Sequence, residues 1–422
     1  MTDPRIELIA AKSAVCSSAA TTLDVLIRVT PPRPDVHFLR PPLNLGLVLD
    51  RSGSMASGRK MAFALEAAAF AVEQLMPTDR VSVTTFDNEV ETIVPNALAT
   101  NKPDLVRRIR GVAPRGSTNL HGGWAEGARQ VEAHRTEQGI NRVLLLSDGL
   151  ANVGVTDPNA IAAEARGLAA RGVSTTTLGV GDDYNEDLME MIANAGDGRY
   201  YFIESPAQLV DIYQTELTGL MATLGEKVSL GLETRDGATV SEVLNDYERV
   251  ATGRLKLPNL IVGMPVLAVV RLNVPPRSHP LSPLEVRLAW DDPRAQGRRT
   301  LRVALDALPA LPLAEWSRLP DNFEVSEQAA LLIMARAQKE AGFAAQRGDH
   351  GLTMTFLNHA RSSASTIMGS PMIEDELLAI DAIEAALQAG DHAHSGKLAK
   401  FRSYQRRNSQ SPLPPGPKDN QP

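Results

Sequence analysis

Three short stretches of this 422-residue sequence carry oxygen donors of the kind a hard cation takes. The first is Asp50-Arg51-Ser52-Gly53-Ser54, a carboxylate and two hydroxyls at alternating positions in a loop that enters a helix. The second is Gly116-Ser117-Thr118-Asn119-Leu120, ahead of another helical pattern, and the third is Ser147-Asp148-Gly149 at the end of an apolar run. Mg²⁺ prefers octahedral oxygen ligation and keeps several waters, so a site with few direct protein ligands suits it. The first loop alone is ambiguous: an Asp closing a strand and serines capping the next helix explain it without a metal. All three loops on one sheet edge would make Asp50, Ser52, Ser54, Thr118 and Asp148 a single metal-binding set.

That placement depends on the elements between the loops. Leu43 to Leu49, apolar but for Asn44, is a strand candidate ending at Asp50, followed by a helical pattern from Lys60 to Met76 and a strand from Arg80 to Phe86. Helices are expected at Pro103 to Val112, Leu120 to Thr136, Ala160 to Arg171, Glu186 to Asn194 and Pro206 to Leu220. Strands are expected at Arg142 to Ser147, Val173 to Gly179 and Arg199 to Ile203. Continuous apolar strands separated by amphipathic helices predict an α/β domain, a doubly wound, mostly parallel sheet covered on both faces. In such a sheet all three loops fall at the carboxyl ends of the strands, where ligands bind.

The flanks read differently. Arg5 to Ala14 and Thr22 to Val29 are strand-like, as are Lys227 to Glu233, Arg254 to Leu257, Pro265 to Val274, Leu284 to Trp290 and Thr300 to Leu305. Two strands alone are marginal in water, so the N-terminal pair is expected to join the later strands in a β-sandwich into which the α/β domain is inserted. From Ser326, a candidate N-cap, the chain turns helical, and Gln346-Arg347-Gly348-Asp349-His350 is echoed by Gln388-Ala389-Gly390-Asp391-His392. The expected organisation is thus strands over 1–38, the α/β domain over 39–222, the rest of the sandwich over 223–310, a helical region over 322–404 and a proline-rich disordered tail over 405–422.

Asp50, Ser52, Ser54, Thr118 and Asp148 together resemble the metal-ion-dependent adhesion site of the von Willebrand factor A family, Asp-x-Ser-x-Ser followed by a Thr and an Asp. Leu47-Val48-Leu49-Asp50, Asp79-Arg80-Val81-Ser82-Val83, Phe86-Asp87 and Gly179-Val180-Gly181 are similar to the family as well. The resemblance covers Leu43 to Leu220, less than half of the chain. It implies a Rossmann-like domain holding Mg²⁺, with Mn²⁺ or Ca²⁺ as alternatives. By that resemblance Ser52, Ser54 and Thr118 are direct ligands, Asp50 and Asp148 act largely through water or alternatively as direct ligands, and a sixth position is open to a partner protein's carboxylate. Arg51 departs from the family's small or apolar residue there and is expected to be solvated. The flanking parts are similar to those of bacterial cytoplasmic A-domain proteins. This implies a non-enzymatic adaptor or assembly factor in an intracellular complex, beside a AAA+ ATPase or a kinase and phosphatase pair.

Composition bounds the other classes. A formal charge of -7, from 43 Lys plus Arg against 50 Asp plus Glu, argues against nucleic-acid binding across the whole molecule. The lone Cys16 excludes paired-cysteine zinc frameworks and fits a reducing compartment. No apolar run approaches the roughly 20 residues of a membrane span, and the N-terminus lacks a secretory pattern, so a cytoplasmic location is expected. A hydrolase using the same metal to activate water is the alternative from another class, though the motif holds no general base. Ser147-Asp148-Gly149 with His121 is a separate hydrolytic set for which the sequence places no base. A membrane-associated adhesin or channel-related protein is the third. The basic stretch Lys397, Lys400, Arg402, Arg406 and Arg407 reads as a solvated helix end before the tail.

Overall fold

The computed structural model describes residues 3–408 except 33–39, 137, 182, 251, 294–296, 366 and 368. The described residues form two compact units, one drawn from within 38–223 and the other from the flanking 1–37, 224–292 and 297–412. The chain enters the outer unit on β1 (Arg5–Ala10), β2 (Val15–Cys16) and β3 (Thr21–Thr30). The strand expected over Arg5 to Ala14 therefore stops at Ala10, and bends at residues 11–14 separate it from β2.

The inner unit runs β4 (Leu43–Asp50), α1 (Lys60–Gln74), β5 (Arg80–Phe86), β6 (Val90–Leu98), α2 (Lys102–Arg110), α3 (Leu120–Ala133), β7 (Ile140–Ser147), α4 (Pro158–Ala170), β8 (Ser174–Val180), α5 (Glu186–Ala195), β9 (Tyr200–Ile203) and α6 (Leu209–Met221). Its sheet has the order β6-β5-β4-β7-β8-β9, parallel except for β6. Central β4 is buried at every position, in keeping with its apolar run, and its one interior polar residue, Asn44, donates to the Val131 carbonyl at 2.9 Å. Leu43, Leu45, Leu47 and Leu49 alternate onto the face shared with α1, α2 and α6. The other face takes α3 unusually closely. A Cβ on Gly127 would stand 2.2 Å from Val48, and one on Gly123 would stand 2.4 Å from Phe86. These glycines let α3 lie against β4 and β5, which fixes the loop ahead of it.

The edge strand β6 has no counterpart in the sequence-based expectation. Its half-exposed, charge-interrupted pattern hides it, and Pro95 falls where the ladder with β5 shifts register, a position where a missing N–H is tolerated.

The chain returns to the outer unit through β10 (Thr223–Thr234), β11 (Thr239–Val243), β12 (Leu255–Lys256), β13 (Leu260–Ile261), β14 (Val266–Val274), β15 (Leu284–Asp291), β16 (Arg298–Ala304), β17 (Ala310–Leu311) and a single turn, α7 (Leu313–Trp316). One antiparallel sheet has the order β1-β3-β14-β11 and the other the order β12-β10-β15-β16, with β13 beside β10. β3 and β14 pair over nine residues, from Thr21 opposite Val274 to Val29 opposite Val266. Strands from before and after the inner unit thus share one sheet, so the α/β unit is inserted between strands of an antiparallel sheet.

Four helices complete the outer unit: α8 (Phe323–Gln346), α9 (His350–Ala364), α10 (Pro371–Gln388) and α11 (His392–Arg407). The first begins three residues before the expected Ser326 cap, because the Asn322 side chain accepts from the Val325 N–H. Val325, Ala329 and Leu332 of α8 pack on Leu26 of β3 and Val269 of β14. The 42-residue echo proves to be a repeated turn. Gly348 and Gly390 adopt positive φ, Asp349 and Asp391 cap the next helices, and the His350 and His392 rings meet edge to face 4.5 Å apart.

Residues 405–407, expected in the tail, continue α11, since Arg407 is buried on Asp246 and its carbonyl accepts from the Asn245 side chain. Residues 409–422 of the expected tail lie outside the described residues. The basic stretch is also not the expected solvated end. Lys397, Lys400 and Arg407 are buried, Lys400 reaches Gln346 at 2.6 Å, and Arg406 pairs with Glu376 at 2.8 Å.

Candidate metal centre

From β4 the chain moves through α1 to β5 on one side and later returns to β7 on the other, which makes the β4–β7 boundary a topological switch point. Crevices open at such points beyond the carboxyl ends of the strands. Asp50 ends β4 there, Asp148 follows the last residue of β7, and Thr118 stands just ahead of α3.

The donors are linked. The Asp50 carboxylate, fully buried, accepts the Ser52 N–H at 2.7 Å and the Ser147 hydroxyl at 2.5 Å. Ser52 Oγ lies 3.0 Å from Ser54 Oγ, and Ser54 donates to Asp148 Oδ1 at 2.6 Å. A Cβ built on Gly149 would stand 3.0 Å from Thr118 Oγ1 and 3.8 Å from Ser54 Oγ, so both hydroxyls border the same small space. The structure therefore brings all five sequence-predicted residues to one place. Neither serine is used as a helix cap: no side-chain cap bond is made by Ser52, and α1 starts without one. The capping explanation of the first loop thus fails for these hydroxyls.

Electrostatics follow from burial. Desolvation pushes the Asp50 carboxyl up to about 6, opposed by the Ser147 and Ser52 hydrogen bonds and assisted by the charge of Asp148. The other carboxylate already has a cationic partner, because Lys60 at the start of α1 places Nζ 2.7 Å from Asp148 Oδ2. Sequence reasoning missed Lys60 and Ser147 as members of the site.

Arg51 corrects an expectation. It is buried rather than solvated, with Nε donating to Asp87 at 3.0 Å and Nη1 to Glu91 at 2.9 Å. Arg115 joins the same Asp87 at 2.7 Å. Burial alone would raise the Asp87 carboxyl, but the Glu89 N–H and the two guanidinium groups hold it below the usual range. This knot ties the first loop to the one carrying Thr118, as does the Gly53 N–H to the Gly116 carbonyl at 3.0 Å, and the Asn119 N–H to the Asp87 carbonyl at 2.8 Å ties the Thr118 loop to the turn after β5. Asn152, unnoticed in the sequence, accepts from the Thr118 N–H at 3.0 Å and so ties that residue to the loop after β7.

The other candidates go elsewhere. His121 bonds Glu164 on α4 at 2.8 Å, and Ser147 gives its proton to Asp50, so the structure does not join Ser147 and His121 as a hydrolytic pair. Among the described residues no cluster of three or more His, Cys, Asp or Glu side chains could hold a metal, which leaves a site of two carboxylates and three hydroxyls. An all-oxygen set of that kind fits a hard divalent cation and not a thiolate- or imidazole-seeking one.

Comparison with known proteins bears on the fold that carries this site. A family profile for the von Willebrand factor type A domain matches residues 44–215. The Synechocystis protein sll0103 is 26% identical over 416 residues, covering 90% of this chain and 91% of its own length. YfbK of Escherichia coli K12 is 29% identical over 194 residues, 46% of this chain and 34% of its own, so this chain spans about a third of that relative. Human inter-alpha-trypsin inhibitor heavy chain H3 is 27% identical over 236 residues, 52% of this chain and 26% of its own. Among solved structures, a von Willebrand factor type A protein from Catenulispora acidiphila superposes with a TM-score of 0.71 at 18% identity, covering 98% of each chain. The ArnB paralog VWA2 from Sulfolobus acidocaldarius gives 0.62 at 18%, covering 96% of this chain and 99% of its own. At that identity the structures speak for the fold, which they share over nearly the whole length. Proteins with this domain often mediate protein–protein interactions, and no helix among the described residues is long and apolar enough to cross a membrane. Residues 44–215 of this chain are a von Willebrand factor type A domain.

Proposed function

We propose that the chain is a non-enzymatic, Mg²⁺-dependent protein-interaction module, an adaptor or assembly factor whose partner presents a carboxylate to the metal. The carrying observation is that Asp50, Ser52, Ser54 and Asp148 gather at one place with Thr118 beside them, the Ser52 and Ser54 hydroxyls bonding each other and Asp148 rather than capping a helix. Ser52, Ser54 and Thr118 would hold the ion, with Asp50 and Asp148 supplying charge through water or directly. The ion's chemistry there is electrostatic: it offers a positive centre to an acidic side chain. The chain's own part is to keep three loops in register through Arg51, Asp87 and Asn152. A AAA+ ATPase or a kinase and phosphatase pair as the partner rests on the family resemblance alone.

Affinity capture with the full chain tests the reading. Partners retained in Mg²⁺ should be released by chelator and absent from an Asp50→Ala, Ser52→Ala double variant that keeps its circular dichroism spectrum. Retention of the same partners in chelator and by the variant would defeat it, as would phosphoester or peptide turnover that Asp50→Ala abolishes.

A further inference from the structure

Lys60 is the first residue of α1, six positions past the Ser54 of the motif, and its ammonium sits 2.7 Å from Asp148 Oδ2. The Lys60 side chain is 13% exposed and that of Asp148 is fully buried, so water screens this pair poorly. The opposite oxygen of the same carboxylate takes the Ser54 hydroxyl, which places the ammonium across one carboxylate from the hydroxyl set. A Cβ on Gly181, in the loop after β8, would lie 3.5 Å from Lys60 Nζ, so that loop crowds the ammonium as well.

We infer that Lys60 is a built-in counter-cation of the metal site, which competes with the divalent ion for Asp148 and sets how tightly that ion binds. The inference rests on the metal-binding reading above and adds a determinant of affinity to it. One positive charge beside Asp148 does two opposing things. In the metal-free protein it neutralises a buried carboxylate that would otherwise be unpaired and costly. Toward a divalent ion it is repulsive and leaves one formal negative charge, that of Asp50, where there would be two. Lys60 thereby makes the metal-free fold stable at the expense of affinity, so the site fills only where the ion is plentiful.

The experiment compares Mg²⁺ titration calorimetry and thermal melts of the full-length wild type with Lys60→Met, Lys60→Gln, Lys60→Arg and the remote control Lys102→Met. Met and Gln remove the charge while keeping most of the stem. Both should bind Mg²⁺ roughly tenfold more tightly, as expected for deleting a unit charge close to a divalent ion in a partly dehydrated site. In chelator they should melt below the wild type, and Mg²⁺ should raise their melting temperature by more than it raises that of the wild type. Arg should stay near the wild type, and Lys102→Met should change nothing. Unchanged or weaker Mg²⁺ binding by folded Met and Gln variants, or an Arg variant that behaves like Met, overturns the inference while wild-type binding leaves the metal site standing. Absence of Mg²⁺ binding in every protein overturns both.

Discussion

Asp148→Ala is expected to lower Mg²⁺ affinity by roughly a hundredfold or more, the upper end of what removal of a residue that orients metal ligands costs. Two effects add. The substitution removes one of the two formal negative charges in the set, and it takes away the acceptor that holds the Ser54 hydroxyl at 2.6 Å. It also releases the Lys60 ammonium, leaving a positive charge near the ion with nothing to offset it. Calorimetry on the full chain reads the loss, and a melt insensitive to Mg²⁺ reports it independently by linkage.

The same site should be pH-dependent through Asp50. Its carboxyl is raised to about 6 by burial, so an ion that needs the carboxylate must displace a proton below that pH. Mg²⁺ affinity should therefore fall by roughly tenfold per pH unit below about 6 and level off above it. For the metal-free fold the sign is opposite. A carboxyl whose folded value is raised contributes stability that is fully present below its unfolded value near 4 and is lost as the pH rises through about 6. Asp50→Asn should flatten that slope in chelator, and an unchanged slope would remove Asp50 as its source.

Glu216→Ala is expected to be the most destabilising single change, by about 3–5 kcal/mol, because it breaks a buried ionic cluster from one side. Glu216 on α6 accepts the Thr176 hydroxyl at 2.7 Å and the Tyr201 hydroxyl at 2.8 Å. Burial would raise its carboxyl, but the charges of Arg199 and Arg142 and these two hydrogen bonds hold it below the ordinary value. Deletion leaves buried Arg142 without that charge and two hydroxyls without their acceptor. Urea unfolding of the full chain should show the shift, with Glu216→Gln intermediate because it keeps acceptor capacity and loses only charge. An alanine variant as stable as the wild type would show that the cluster adds nothing net.

What could be read in the sequence follows where local pattern and tertiary demand coincide. Leu43 to Leu49 can be buried on both faces only in a central strand, and a strand that stops at Asp50 must deliver that carboxylate to the sheet edge. Two further loops at equivalent passages then bring Thr118 and Asp148 to the same edge. Arg51 misled because its partners Asp87 and Glu91 sit in the turn before, and at the start of, an edge strand whose mixed polarity conceals it. Lys60 carried no signal, since a lysine at a helix start is ordinarily solvated and only the fold shows that its stem reaches Asp148. Lys397 and Lys400 misled for the same reason in reverse: their spacing on α11 reads as a polar face, yet that helix packs against α8, where Lys400 finds Gln346 and the Phe343 ring.

The most direct test is to crystallise the full chain with Mn²⁺, which shares the preference of Mg²⁺ for oxygen ligands, and to collect data at the manganese absorption edge. One anomalous peak per chain is predicted, bounded by the hydroxyls of Ser52, Ser54 and Thr118 and facing Asp50 and Asp148, and absent from crystals of Asp148→Ala. Wild-type crystals grown in millimolar Mn²⁺ with no peak at these residues, or with peaks only elsewhere, would contradict the account and leave the five side chains as a hydrogen-bonded brace between loops.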